Sequence, residues 1–124
     1  MAKILIADDD KDATVLMESM LKGEGYELFS TNNSSQVLDL AQEIRPDLVL
    51  LDLAMPEPTG FQICRALRED PSFFMTPIVI VTALGDRDSF VVAFGAGADG
   101  YLIKPVLVEK LRSTVASLIS HHHK

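Results

Sequence analysis

Three short runs, Ile4 to Ala7, Leu48 to Leu51 and Ile78 to Val81, are apolar at every position. A strand with one face in water alternates apolar and polar residues, so an unbroken apolar run calls for cover on both faces. The segments between the runs supply that cover. Ala13, Leu16, Met17, Met20 and Leu21 fall at helical spacing, as do Val37, Leu40, Ala41 and Ile44, then Gly60, Ile63, Cys64 and Leu67, then Val108, Leu111, Val115 and Leu118. Each set forms the apolar stripe of an amphipathic helix. Asp86 is placed to cap a further helix reaching Phe94. Gly23 and Gly25 stop the first helix, and Pro46, Pro71 and Pro77 bound others. Tyr26 to Ser30 and Tyr101 to Ile103 read as two further strands.

The predicted order is (βα)5, an α/β chain. Connections of this length hold only crossover helices, so the sheet is parallel and doubly wound, with helices on both faces. Right-handed crossovers then place any site beyond the carboxyl ends of the strands, beside the point where the strand order reverses.

One such sheet accounts for a chain of 124 residues, which can bury roughly two thirds of its unfolded surface without disulfides or structural metal. The sole cysteine, Cys64, excludes an internal disulfide framework or zinc cluster and suits a reducing compartment. On a helical stripe it reads as a small core side chain. No apolar run approaches the roughly 20 residues of a membrane span, and no signal peptide precedes Lys3. The expected location is cytoplasmic, without membrane contact. With 18 acidic against 11 basic residues and a formal charge of −7, the chain lacks the clustered Lys and Arg that bind phosphate backbones, so no direct nucleic-acid partner is expected. His121, His122 and His123 read as the remnant of an expression tag, which leaves one domain over residues 1–120 and sets 121–124 aside.

The strand ends concentrate charge. The first ends in Asp8-Asp9-Asp10, the third in Asp52, the fourth in Thr82-Ala83 and the fifth in Lys104-Pro105. Crowded carboxylates raise each other's pKa and stay ionised together only around a cation. An oxygen-only cluster without His or thiolate suits Mg2+ (or Mn2+), which leaves coordination positions open for phosphoryl oxygens. Lys104 adds a point charge, and the Thr82 hydroxyl and nearby N–H groups can donate to the remaining oxygens. Asp52 ends the central, most buried strand and is the best-placed nucleophile. Carboxylate attack on phosphorus gives an aspartyl phosphate and needs no base, because there is no proton to remove. Asp10 and Asp12 read as helix-start chemistry.

At these positions the chain resembles the response-regulator receiver domain of two-component signalling, over residues 3 to about 119. The matching stretches are Ile4-Leu5-Ile6-Ala7-Asp8-Asp9, Asp52-Leu53-Ala54-Met55-Pro56 with Gly60, Pro77-Ile78-Val79-Ile80-Val81-Thr82-Ala83, and Gly97-Ala98-Asp99-Gly100-Tyr101-Leu102-Ile103-Lys104-Pro105. The resemblance implies a flavodoxin-like strand order, 2-1-3-4-5. It implies Asp52 as phospho-acceptor, with Asp9 a direct metal ligand, Asp8 assisting through water and the Ala54 carbonyl completing the protein ligands. It further implies Thr82 as a switch hydroxyl, Tyr101 as an aromatic that repacks in response, and Lys104 on the phosphoryl group with a cis bond to Pro105. The expected partner is a sensor histidine kinase or phosphotransfer protein. Tyr101, a strand tyrosine, reads equally well as half-buried packing.

Several positions depart from the family pattern. Ala54 and Leu84, two residues beyond Asp52 and Thr82, are apolar where relatives often carry polar side chains, so neither can orient an attacking water and slow self-dephosphorylation is expected. Val106 stands where Phe is frequent. Gly100 replaces an acidic residue typical of transcription factors, which points away from a winged-helix partner domain. Phe90, Val91, Val92, Ala93 and Phe94 are consecutive, more than a covering helix needs. The excess reads either as buried by neighbours or as a partner or self-association face made with the fifth strand and fifth helix. Phe73 and Phe74 read as a lid over the adjacent core.

Other functional classes fit less well. An aspartyl-nucleophile phosphatase needs an acid two residues after Asp52, where Ala54 stands. A flavodoxin-like FMN carrier would present a phosphate loop after the first strand, where Asp8, Asp9 and Asp10 repel phosphate.

Overall fold

Alternate strand residues face opposite sides of one sheet, and along its three central strands both sides are dry. A computed structural model describes residues 1–122; His123 and Lys124, the end of the stretch read as a tag remnant, lie outside the described residues. The order is β1 (Lys3–Ala7), α1 (Lys11–Leu21), β2 (Glu27–Thr31), a 3-10 turn (Ser34–Gln36), α2 (Val37–Ile44), β3 (Leu48–Leu51), α3 (Gly60–Glu69), β4 (Ile78–Thr82), α4 (Arg87–Gly95), β5 (Gly100–Ile103) and α5 (Val108–His122). The strands pair in parallel in the order β2-β1-β3-β4-β5, the flavodoxin-like order expected.

Ile4, Ile6, Leu48, Leu50, Val79 and Val81 face α1 and α5, where Met17, Leu21, Leu111 and Val115 meet them. Leu5, Ala7, Val49, Leu51, Ile78 and Ile80 face α2, α3 and α4, covered by Val37, Ala41, Ile63, Cys64, Leu67 and Ala93. The period of two along each strand sorts the apolar residues between two cores. Each fully buried Leu or Ile contributes about 1.5–3 kcal/mol relative to exposure, so this double burial is the main reason the three central runs are strands. Cys64 is buried in the core, as its stripe position predicted.

Caps set the helix starts. The Asp10 side chain accepts the Asp12 N–H, Thr59 and Gln62 form a reciprocal capping box, and Asp86 accepts the Ser89 N–H at 3.0 Å, fulfilling its sequence assignment.

Two expectations are corrected. Leu16, placed on the buried stripe of α1, is 54% exposed, and Thr14 is buried instead. The helix shares its side of the sheet with α5, so a narrow row at Thr14, Met17 and Leu21 suffices. Of the expected lid, Phe73 is buried but Phe74 is 63% exposed. Arg68 holds this segment by donating to the Phe73, Phe74, Thr76 and Gly97 carbonyls while pairing with Asp99.

Candidate functional site

Register brings the four strand ends together. Ala7 lies opposite Leu51 and Leu51 opposite Ile80, so the residues that follow β1 and β3 emerge side by side. The Asp52 N–H donates to the Ala7 carbonyl at 3.0 Å, and the Lys104 N–H donates to the Thr82 carbonyl at 2.8 Å. Gly60 opens α3 directly against β3: a Cβ there would collide with the Asp52 carbonyl and the Leu53 Cα. This close approach needs a residue without a side chain.

Asp8, Asp9 and Asp52 each present a carboxylate oxygen within 4.8 Å of the others. Asp8 and Asp52 are buried while Asp9 is exposed, so the cluster has a dry floor and an open rim. Lys104 Nζ donates to Asp8 Oδ2 at 2.6 Å and to Asp52 Oδ2 at 3.4 Å. The other Asp52 oxygen accepts the Ala54 N–H at 3.1 Å, which sets Ala54 beside the carboxylate. Asp8 Oδ1 accepts the Asp10 N–H at 3.0 Å.

Burial pushes the Asp8 carboxyl above its ordinary value, and the negative charge of Asp52 adds to the rise, against the lowering effect of the Lys104 and Asp10 hydrogen bonds. Burial also works against the Lys104 ammonium, but its bond to Asp8 and the field of Asp52 outweigh that and hold its pKa above normal. The pocket is therefore anionic around one secured cation. Its donors are hard oxygens at short mutual distance with an open rim, a set that fits Mg2+ or Mn2+ and offers nothing to a soft metal.

The two residues expected to transmit a change occupy the adjoining face. Thr82 is fully buried, and its hydroxyl accepts the Leu84 N–H at 3.3 Å. The Tyr101 hydroxyl donates to the Leu84 carbonyl at 2.5 Å. Its ring centroid lies 5.3 Å from that of Phe90, which stands 4.7 Å from Phe94. Burial, followed by the charges of Asp86 and Asp52, raises the Tyr101 phenol. Phe90, Val91, Val92 and Phe94 of α4 are exposed, and only Ala93 of that run is buried. The bond between Lys104 and Pro105 is cis, as is that between Glu57 and Pro58.

Thus Asp8, Asp9, Asp52, Ala54 and Lys104 meet in one pocket, with Thr82 and Tyr101 bonded to the N–H and the carbonyl of Leu84 on the α4 side. Sequence reasoning missed Asn32 and Ser34, whose side chains reach the carbonyls of Asp8 and Pro56. Their partners lie 24 and 22 residues away, a separation that leaves no local signal.

The family model of the response regulator receiver domain matches residues 4–116. The chain belongs to the response regulator receiver domain family. The DNA-binding response regulator MtrA of Mycolicibacterium smegmatis is 39% identical over 113 residues, covering 91% of this chain and 48% of MtrA. The chemotaxis protein CheY4 of Vibrio cholerae superposes with a TM-score of 0.89 at 30% identity, covering 95% of this chain and 98% of CheY4. The signal receiver domain of a histidine kinase from Syntrophus aciditrophicus superposes at 0.92 with 29% identity, covering 100% of this chain and 94% of that domain. This receiver spans about half the length of the curated relatives it matches. Several of those relatives are named as DNA-binding regulators. Among the described residues no helix is long and apolar enough to cross a membrane.

Proposed function

We propose that this receiver accepts a phosphoryl group on Asp52 from a phosphohistidine of a sensor histidine kinase or phosphotransfer protein, with Mg2+ or Mn2+ bound, and acts in the cytoplasm as a signalling switch. The observation that carries this reading is the setting of Asp52. It is a buried carboxylate at the end of β3, 3.4 Å from the Lys104 ammonium and within 4.8 Å of two further carboxylates.

An Asp52 carboxylate oxygen forms the new bond to phosphorus as the phosphorus–nitrogen bond breaks, and the departing electron pair stays on the imidazole nitrogen. Asp8, Asp9, Asp52 and the Ala54 carbonyl would hold the divalent ion, which when bound neutralises charge on the phosphoryl oxygens. Lys104 attracts the same oxygens, and release from Asp8 and Asp52 frees it to do so. The Ala54 N–H, already on the carboxylate, orients it for attack. The chain modifies itself and turns over no outside substrate.

A donor protein must reach the open rim. An apolar groove of ≈ 450 Å³ between α1 and the β5–α5 connection, with Leu16, Met20 and Val106 in its walls, adjoins that rim at Lys104.

Output is read at α4. A phosphoryl group drawing the Thr82 hydroxyl toward it would break its contact with the Leu84 N–H, shift the Leu84 main chain and alter the hold of Tyr101 on the Leu84 carbonyl. The ring contact with Phe90 then passes the change to the exposed α4 residues, which serve with β5 and α5 as a self-association face. Phosphorylation need only favour one of two existing arrangements by a few kcal/mol.

The test is to add Mg2+ and acetyl phosphate and follow intact mass for wild type and Asp52→Asn. Wild type should gain one phosphoryl group and the variant none. A wild type that gains nothing, or a variant that gains as much, overturns the reading.

A further inference from the structure

The loop between β2 and α2 carries none of the residues assigned to the pocket, yet it touches both turns that flank it. Asn32 Nδ2 donates at 2.9 Å to the main-chain carbonyl of Asp8, the peptide that joins Asp8 to Asp9, and at 3.1 Å to Thr14 Oγ1. Ser34, 6% exposed, donates its hydroxyl at 2.8 Å to the carbonyl of Pro56, two residues past Ala54. Between these two contacts the loop is stiffened from within. The Asn33 side chain accepts the Ser35 N–H at 3.0 Å and the Ser35 hydroxyl at 2.7 Å, and the 3-10 turn begins there.

We propose that Asn32 and Ser34 are positioning residues for the divalent cation: the β2–α2 loop is a strut that fixes the separation between the Asp8–Asp9 turn and the Ala54–Pro56 turn. The inference rests on the reading of the acidic pocket as a cation site. The ligands come from two turns on neighbouring strands, β1 and β3, and the carboxylates they carry repel one another before the ion arrives. A small ion such as Mg2+ tolerates little error in ligand placement. A hydrogen bond to the Asp8–Asp9 peptide fixes one side of the ligand set, and a buried hydroxyl on the Pro56 carbonyl fixes the other. Groups that hold metal ligands in place without touching the metal commonly change affinity by roughly ten- to a hundredfold when removed. Ser34 has a further reason to stay bonded, because a buried hydroxyl without a partner is costly.

The experiment titrates the full chain with Mn2+, following free ion by electron paramagnetic resonance, for wild type, Asn32→Ala, Ser34→Ala and Ser35→Ala. The last removes a contact inside the loop and leaves both struts intact. Melting in a chelator is recorded alongside, since a merely structural role would lower the melting temperature and spare the affinity. Asn32→Ala and Ser34→Ala should each weaken Mn2+ binding by roughly tenfold, with metal-free melting close to wild type and Ser35→Ala binding normally. Unchanged affinity in both variants, or an equal loss in Ser35→Ala, overturns the strut. If Ser34→Ala does not fold, Asn32→Ala, at an exposed position, decides the matter alone. A wild type that takes up no Mn2+ overturns the cation-site reading and this inference with it, whereas a wild type that binds beside variants that bind equally well overturns only the strut.

Discussion

Lys104 Nζ sits 2.6 Å from Asp8 Oδ2. Because Asp52 is farther from the ammonium, at 3.4 Å, Lys104 is held chiefly by a residue other than the proposed acceptor, and a phosphoryl group must draw it away from Asp8. Lys104→Ala should therefore slow phosphoryl uptake from acetyl phosphate by about a hundredfold while leaving Mn2+ binding measurable. Initial rates of mass gain at saturating Mg2+ check this, and a rate equal to wild type contradicts it.

Asp8 gives a signed pH dependence. Its carboxyl is raised in the folded, metal-free chain, chiefly by burial, so the folded state holds that proton more tightly than the unfolded chain does. The corresponding stability is fully present below the unfolded value and is lost as pH rises through the folded one. Cation binding needs the carboxylate, so it runs the opposite way and weakens as pH falls through the same range. Melting curves with chelator and with Mg2+, from neutral to weakly acidic pH, should show the Mg2+-induced rise shrinking on acidification. Asp8→Asn should remove most of that rise at every pH.

Gly60 tests the backbone contact beneath the site. A Cβ there collides with the Asp52 carbonyl and the Leu53 Cα, neither of which can swing aside as a side chain would. Gly60→Ala should cost about 2 kcal/mol or more of stability, read as a lower urea midpoint, and should slow phosphorylation of whatever chain remains folded.

The exposed α4 residues predict a change of assembly. Val91→Asp or Val92→Asp, at positions 56% and 52% exposed, should leave stability nearly unchanged. Either should weaken phosphorylation-dependent self-association about tenfold or more. Sedimentation velocity with and without acetyl phosphate measures it; association unaffected by either substitution removes this face as the contact.

Ala54 is exposed beside the Asp52 carboxylate, and Leu84 is half-buried against the core. Neither side chain can align water on a phosphoryl group, so the phosphorylated chain should persist for minutes or longer after the donor is removed. Ala54→Gln should shorten that time. Intact mass followed over time decides it, and decay within seconds in the wild type contradicts the expectation.

Much of this was legible in the chain itself. The unbroken apolar runs of β1, β3 and β4 could be stable only between two layers of helices, and parallel strand ends had to bring Asp8, Asp9, Asp52, Thr82 and Lys104 to one edge. Chain order and a period of two are local properties, and the family motifs ride on them. Tertiary structure decided whatever depends on distance across the fold. Leu16 and Thr14 exchanged places because α5 shares the surface of α1. Phe73 and Phe74 parted because only one could reach the core. The Lys104 ammonium went to Asp8, and the Tyr101 hydroxyl found the Leu84 carbonyl 17 residues away. Asn32 and Ser34 look like ordinary loop residues in sequence. Their hydrogen-bond partners are main-chain carbonyls, which every residue possesses and no sequence pattern marks, so only the folded chain could say which ones they hold.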